Sequence, residues 1–427
     1  MDISKAYNNK ILNSIKQNIN HILDYNMISK IYHKFPLINC ISLEDNYKLS
    51  SYTRLISKKN LSHQQFINEI PDLIDFALKY EHNNIFIKDK INSLLMNKYF
   101  PKKWNDMLIL YDLKFISFIF LQYFENECDT LIILISNDKK IKINIAYSKN
   151  DYNETKINKI IYHLINIIEW FKHDSDNEIN INILLSPFKK TFQYKFNEQI
   201  YKKYPWLEWT KKMDNNCICP FHINTGVSWG NTITLFRIDE IFKVLLHELI
   251  HNLDHDYKED INENILNNNL NFKIGNNSYP VIINEAYTEY IAILYWNYYL
   301  INYYYLFNSS TKIDKLKLYY HMINRELLNS ALLCKKLFIF YNINNLKILN
   351  KTNDLEQKTN AFSYIFIKYI LLKNLIDFTN GNTYENALEI NKLLQKELNN
   401  IDKYNYLLNI QPDKNMKLRL SIHELNI

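Results

Sequence analysis

The sequence predicts an α+β fold, with a mixed N-terminal lobe that contains a small β-sheet and a mainly helical C-terminal lobe. From about residue 130, apolar runs flank short polar turns as in strands, whereas residues 237–400 are mostly helical in pattern apart from an Asn-rich loop near 265–280. Hydrophobic residues make up 47% of the 427 residues, so the chain can bury enough apolar surface to fold. This length allows two domains or two lobes of one unit.

Three regions are inferred from changes in periodicity, because no Pro-, Gly- or Ser-rich linker separates domains. Residues 1–125 are predicted to be mostly helical, residues 126–258 to form an α/β lobe that ends in a histidine-containing helix, and residues 259–427 to form a helical lobe. Within the second region, LIILIS and KINIAYS flank the polar segment NDKK, as two antiparallel strands would. A helix, ETKINKIIYHLINIIEWFKH, and a further strand, NINILLS, are expected to follow.

Charge and composition argue against several classes of protein. The net charge of +6 arises from 51 basic and 45 acidic residues that are scattered along the chain, so no nucleic-acid partner is predicted. Five cysteines at irregular spacing do not suggest a disulfide framework and indicate a reducing compartment. The first residues, MDISKAYNNKILNSIKQ, lack the apolar core of a signal peptide. The sequence leaves the oligomeric state open.

One uncharged segment, residues 290–311, is long enough to span a membrane. Its Asn297 and Asn302 and its many tyrosines are unfavourable in contact with lipid. A buried helix is therefore the preferred interpretation, and no membrane span is expected.

The segment HELIH, from His247 to His251, carries the clearest chemical signal in the sequence. On a helix, residues four apart lie one turn apart and differ by about 40° in direction, so both imidazoles can face one ion. Glu248 lies about 100° round from His247, where it can reach a water beside the ion without binding the ion itself. One helical turn would thus supply two zinc ligands and a general base.

A catalytic zinc ion needs a third protein ligand and leaves one position open for water. The metzincin pattern would need a glycine and a histidine where the sequence has Asp254 and Tyr257, so that pattern is excluded. Asp254 and His255 are predicted to have structural roles or to support the ligands. The remaining candidate is the segment NEAYTE, from Asn284 to Glu289, which begins a second helical stretch.

Together the two segments resemble the motifs of the gluzincin peptidases, the thermolysin-like group in which Asn-Glu-x-x-x-Asp follows HExxH. The resemblance implies that Glu285 is the third zinc ligand and that Glu289 takes the place of the Asp that orients a zinc-binding histidine. Asn284 occupies the first position of the second motif. Glu289 is one carbon longer than the family's Asp, which shifts that contact. The resemblance also implies one Zn²⁺ per chain, in the cleft between the two lobes.

Two further parts of a gluzincin site have candidates in this chain. Gluzincins present an edge strand whose backbone pairs with an extended substrate, and NTGVSWGNT occupies the corresponding place. Its Gly226 and Gly230 indicate either a close approach of the backbone or an ordinary strand and turn. Gluzincins also stabilise the oxyanion with a downstream Tyr or His. Tyr364 and His321 are the candidates for this role, and each could instead be a packing residue.

A further resemblance is to an uncharacterised metallopeptidase family of giant DNA viruses. It covers roughly residues 200–375 and rests on a Gly-containing strand, an Arg, the HELIH helix, a downstream Asn-Glu and a later Phe-Ser-Tyr, in this order. It implies a cytoplasmic or virion-associated protein. HELIH and the chain length also resemble clostridial neurotoxin light chains, but their downstream Arg-x-x-Tyr element is not apparent in the sequence.

The expected function is that of a zinc-dependent metallopeptidase, which hydrolyses the peptide bonds of a polypeptide substrate through a zinc-activated water with Glu248 as general base. Two alternatives stay open. A non-catalytic zinc-binding virion or host-interaction protein would not need Glu248, and structural zinc sites usually have four protein ligands. A zinc hydrolase of a non-peptide bond would use the same residues, and the sequence does not separate it from a peptidase.

Overall fold

The computed structural model describes most of the chain from residue 115 onwards. The described residues are 38–39, 97–99, 115–135, 140–171, 178–192, 196–212, 218–254, 256, 281–307, 315–346, 349, 357–374, 383–410, 412 and 418–425. Most of the predicted helical region before residue 125 lies outside them, as do the Asn-rich loop and the predicted boundary between residues 258 and 259. Both the HELIH and the NEAYTE segments lie within them.

A six-stranded mixed sheet forms one layer of the fold, with the strand order β2-β3-β4-β5-β7-β6. The strands of the described residues are β1 (Ile38–Asn39), β2 (Asn97–Tyr99), β3 (Thr130–Ile135), β4 (Ile141–Tyr147), β5 (Ile179–Leu184), β6 (Gly226–Trp229), β7 (Thr232–Leu235) and β8 (Glu424–Leu425). β4 pairs with β5 and β5 with β7 in parallel, whereas the other pairs of this sheet are antiparallel. The predicted hairpin around NDKK is confirmed, because β3 and β4 are antiparallel neighbours.

The helices of the described residues lie mainly after the sheet in the chain. They are α1 (Phe118–Glu127), α2 (Glu154–Phe171), α3 (Glu198–Lys203), α4 (Pro220–Ile223), α5 (Ile241–Asn252), α6 (Ile283–Phe307), α7 (Lys315–Phe340), α8 (Lys368–Lys373) and α9 (Thr383–Asn399). A π-helical turn, Ser363–Ile367, leads directly into α8. The predicted helix after the hairpin is confirmed as α2, which crosses from β4 to its parallel neighbour β5.

Helix α5 contains the HELIH segment and is surrounded by other elements. It packs against α2, α6, β6 and β7. Every residue from Ile241 to Ile250 is buried, as expected for a helix whose sequence, IFKVLLHELI, is apolar over most of its circumference. The buried polar side chains of this helix must therefore find partners inside the protein, because an unpaired buried charge is costly.

Helix α6 contains most of the uncharged segment that was tested for a membrane span. Its Trp296 is 1% exposed and Asn297 is fully buried, with the Asn297 amide donating to the carbonyl of Ile293 at 2.8 Å. Over residues 290–301 the segment is a largely buried helix, as predicted. None of the helices in the described part of the chain is long and apolar enough to cross a membrane.

Residues 418–423, which we name the C-terminal strap, are buried although they form no helix or strand. The backbone N–H groups of Leu420 and Ser421 donate to the Glu240 carboxylate at 3.1 and 2.5 Å, next to the start of α5. On α7, the Glu326 carboxylate accepts from the backbone N–H of Ile422 at 3.0 Å and lies 3.0 Å from Nδ1 of His423. The strap therefore ties the N-terminus of α5 to α7.

The coarse α+β prediction is confirmed, since a small mixed sheet is followed by a mainly helical region. Both parts contribute to one hydrophobic core, in which Ile145 of β4, Leu245 of α5 and Phe338 of α7 belong to the same buried cluster. The antiparallel pairing of β1 with β8 was not anticipated, because neither two-residue strand carries a detectable period.

Glu326→Ala should reduce the free energy of unfolding on the order of 3 to 5 kcal/mol, because it leaves the buried donors of the strap without their acceptor. Urea denaturation measures this difference. Glu208→Ala is the control, since Glu208 is 57% exposed in its ion pair with Lys211, and its removal should cost less than about 1 kcal/mol. Equal midpoints for Glu326→Ala and the parent protein would contradict the role given to the strap.

Candidate metal centre

Helices α5 and α6 bring three side chains to one point. Nε2 of His247 lies 3.2 Å from Nε2 of His251, and Oε2 of Glu285 lies 3.5 and 3.6 Å from these two nitrogens. Zinc ligands at about 2.0 to 2.2 Å in tetrahedral geometry are separated from one another by about 3.3 to 3.6 Å. The spacing of the three atoms therefore fits a zinc ion without rearrangement of the side chains.

The local structure explains why these residues converge. His247 and His251 lie one turn apart on the same face of α5, and Glu285 lies in the first turn of α6. His247 is almost fully buried, whereas the side chains of His251 and Glu285 are 17% and 22% exposed. The cluster is thus partly accessible to solvent, as a catalytic metal site must be if water and substrate are to reach it.

Each imidazole is oriented by a carboxylate at its other nitrogen. Nδ1 of His247 lies 3.1 Å from Oε2 of Glu289, and Nδ1 of His251 lies 2.7 Å from Oδ2 of Asp256. With a metal ion bound, these contacts would favour the tautomer that carries the N–H on Nδ1, so that the Nε2 lone pair of each ring could bind the ion. Glu289 is long enough to make the contact that the shorter Asp makes in the gluzincin motif.

Asp256 is a supporting residue of this site that sequence reasoning missed. The structure gives Asp256 the contact with Nδ1 of His251, whereas Asp254 is exposed. His255 lies outside the described residues. Asp254 has a left-handed backbone with φ of 56°, which turns the chain back after α5 and brings Asp256 to the histidine. Asn284 donates to Oδ2 of Asp256 at 2.8 Å, so its contact with the site runs through this aspartate.

Glu248 follows His247 on α5, lies close to Gly226 at the start of β6, and is 5% exposed. Its Oε1 approaches the backbone of Gly226 so closely that a Cβ at that position would lie 2.8 Å from it. Burial raises the pKa of the Glu248 carboxyl group. A carboxylate with a raised pKa is a stronger base than an exposed one, which suits it to proton transfer near neutral pH.

Of the two candidate oxyanion donors, Tyr364 reaches the cluster. The Tyr364 hydroxyl donates to Oε2 of Glu285 at 2.8 Å, and its ring lies edge-on to His247 with 5.8 Å between the centroids. Burial raises the pKa of Tyr364, so its hydroxyl stays protonated and able to donate. Tyr364 lies in the π-helical turn, a distortion that often occurs at functional sites. The side chain of His321, on α7, lies outside the described part of the structure.

The electrostatics of the cluster favour a cation. Burial alone would lower the pKa of both imidazoles, but the nearby carboxylates outweigh it, so that the pKa of His247 is raised and that of His251 is raised to about 10. Burial alone would raise the pKa of Glu285, Glu289 and Asp256, but neighbouring cations and hydrogen bonds lower all three. A site that stabilises protonated imidazoles in this way has a negative potential, which also attracts a divalent metal ion.

Comparison of the chain with protein-family models, curated proteins and solved structures found no match. The interpretation of the site therefore depends on its own geometry and chemistry. Two imidazoles and one carboxylate are the donor set of many catalytic zinc sites, and they are the group in the described residues whose ligand atoms all lie within 4.8 Å of one another. The residues present thus fit a zinc ion.

Purified protein should bind about one zinc ion per chain, and His247→Ala or His251→Ala should abolish this binding, because each removes one of three ligands. Elemental analysis after dialysis measures the metal content. His163→Ala is a matched control, since His163 is a buried histidine that contacts Tyr299 and lies outside the cluster. Full zinc content in both ligand variants would rule out this site.

Proposed function

We propose that this protein is a zinc-dependent metallopeptidase of the gluzincin type. The observation that carries the proposal is the convergence of His247, His251 and Glu285 at zinc-ligand spacing, with the buried carboxylate of Glu248 beside them and outside the ligand set. A bound zinc ion would lower the pKa of water and polarise the carbonyl of the scissile bond.

Glu248 is the general base in this proposal. It removes a proton from the attacking water as the oxygen forms a bond to the carbonyl carbon, and it later delivers that proton to the amine nitrogen as the C–N bond breaks. The raised pKa of Glu248 supports the first transfer, because burial makes the carboxylate a stronger base. Because Oε1 of Glu248 lies close to the backbone of Gly226, the proposed proton transfer would occur beside β6.

Tyr364 is the proposed donor to the oxyanion that forms on the carbonyl oxygen. Its hydroxyl already lies at the cluster and donates to Oε2 of Glu285. A donor held in place before the reaction stabilises the developing charge without further rearrangement of solvent. Tyr364 would exchange its bond to Glu285 for one to the substrate, or share the proton between both acceptors.

Two observations favour a peptidase over the alternatives. A non-catalytic zinc site would have no use for Glu248, a buried carboxylate that lies outside the ligand set. Among the described strands, β6 is the last at one end of the sheet, and it lies next to the site. An extended peptide could pair with its outer edge. A non-peptide hydrolase would not need this edge, which is why a peptide substrate is preferred.

Glu248→Gln should leave the zinc content and the fold unchanged and reduce peptide hydrolysis by about 10² to 10⁴-fold, because the amide cannot accept the proton from water. A broad peptide library, digested by the parent and variant proteins and analysed by mass spectrometry, measures the activity.

Tyr364→Phe, which removes one donor, should reduce turnover less than Glu248→Gln does, by roughly 10 to 10³-fold. Undiminished cleavage by Glu248→Gln would refute the mechanism; the same result for Tyr364→Phe would refute only the tyrosine's role and turn attention to His321.

The two glycines of the β6–β7 hairpin provide a second test of the base. In Gly226→Ala the new Cβ would lie 2.7 to 2.9 Å from Leu235, Glu248 and Val244, so Glu248 must shift and kcat should fall on the order of 10²-fold while zinc is retained. Gly230 has φ of +56° with nothing within 4 Å of such a Cβ. Gly230→Ala should therefore cost about 1 to 2 kcal/mol of stability and leave kcat unchanged. Equal kcat values for the two variants would contradict the close approach at Gly226.

A further inference from the structure

Lys243 is buried one turn before His247 on α5, and its side chain is 1% exposed. We propose that Lys243 is a positioning residue for the metal centre, which fixes the Glu289 carboxylate so that it orients His247. This inference rests on the zinc site proposed above and adds a residue that neither the HELIH nor the NEAYTE segment contains.

The contacts form a chain from the lysine to the ligand. Nζ of Lys243 donates to Oε1 of Glu289 at 2.6 Å, and Oε2 of the same carboxylate lies 3.1 Å from Nδ1 of His247. Both oxygens of Glu289 are therefore engaged, one by the ammonium group and one by the imidazole. Because a carboxylate is planar and rigid, the position of the ammonium group restricts the direction in which the second oxygen faces the ring.

Helices α5 and α6 contact each other at two levels through residues with the same spacing. Lys243 and His247 are four residues apart on α5, as are Glu285 and Glu289 on α6, so each pair lies on one face of its helix. Lys243 faces Glu289 at one level, and His247 faces Glu285 one turn further along. The ion pair thus sets the register of α5 against α6 at the level next to the ligands.

Other buried lysines near this site are bonded to different partners. Lys190 lies 2.5 Å from Oε2 of Glu240, and Lys368 donates to the carbonyl of Leu420 at 2.8 Å. Lys243 lies 4.0 Å from Glu240, well beyond its 2.6 Å contact with Glu289. Among the described residues, Lys243 is the lysine whose ammonium group bonds directly to Glu289. Loss of Lys243 would leave the buried Glu289 carboxylate without this bonded cation. A carboxylate in that state would turn away or take up a proton, and either change would weaken its hold on His247.

The test is the zinc affinity of Lys243→Met, measured by competition with a chromophoric chelator in the folded protein. Supporting residues of this kind typically change metal affinity by about 10 to 100-fold, so the dissociation constant of the variant should rise by this factor. In a Glu289→Gln background, adding Lys243→Met should raise it by less than about threefold, because the carboxylate through which Lys243 acts is gone. Additive effects, or zinc binding as tight as in the parent protein, would overturn the inference.

Lys190→Met is the matched control. It removes a lysine that is also 1% exposed and also paired with a buried glutamate, but one that does not contact a ligand-orienting residue. It should lower the free energy of unfolding and leave zinc affinity unchanged; an equal loss of affinity would assign the effect to general damage of the core. Lys243→Gln, which keeps a donor without the charge, is measured in parallel. If Lys243→Met and Lys243→Gln both fail to fold, Lys243 serves the core alone and the inference is wrong.

Failure of this inference can be told apart from failure of the proposed function. If the parent protein binds no zinc, the metal centre itself is refuted. If the parent binds zinc and Lys243→Met binds it equally well, the metal centre stands and only the role of Lys243 is lost. The visible spectrum of the Co²⁺-substituted proteins provides a second readout, since a change in the orientation of His247 alters the coordination geometry.

Discussion

The packing of α5 against α6 is the constraint on which the candidate metal centre depends. α5 supplies both imidazoles from consecutive turns, but the carboxylate of Glu285 belongs to α6, and no ligand set exists until the helices meet. Ligand spacing tolerates errors of only a few tenths of an ångström, so the register between the two helices must be fixed by contacts other than the metal ion. The apolar face of α5 contributes buried surface. It does not favour one register against α6 over a neighbouring one, because similar side chains recur along the helix.

The buried ion pair between Lys243 of α5 and Glu289 of α6 is suited to provide that choice. Further buried charges join the start of α5 to the strap and to α7. Glu240 precedes α5 and holds Lys190 and two N–H groups of the C-terminal strap, while Glu326 of α7 holds the end of the same strap. Such groups add little net stability, since desolvation offsets most of their attraction. Such pairs instead favour one arrangement of the elements, because any other arrangement would leave a charge buried without a partner. The C-terminal strap takes part in this arrangement through its bonds to Glu240 and Glu326.

The parts of the site that could be predicted from sequence are those set by local geometry. The spacing of His247, Glu248 and His251 predicts their faces on a helix whatever surrounds it, and the NEAYTE segment presents Glu285 in a first helical turn in the same way. The hairpin β3–β4 and helix α2 were predicted for the same reason. Asp256 and the strap could not be predicted, because the contact of Asp256 follows from a left-handed turn at Asp254, and the strap has no period and gains its contacts only from distant helices.

Exposure is distributed unevenly across the candidate metal centre. Glu289 and Lys243 are 2% and 1% exposed, whereas Glu285 and His251 are 22% and 17% exposed. A purely structural metal site gains nothing from such asymmetry, because its ion is best enclosed on all sides. Here the charged residues Lys243 and Glu289 are enclosed, and the exposed fraction belongs to the ligands Glu285 and His251. Gly226 has no side chain, so the edge strand approaches the Glu248 carboxylate more closely than any other residue at this position would allow.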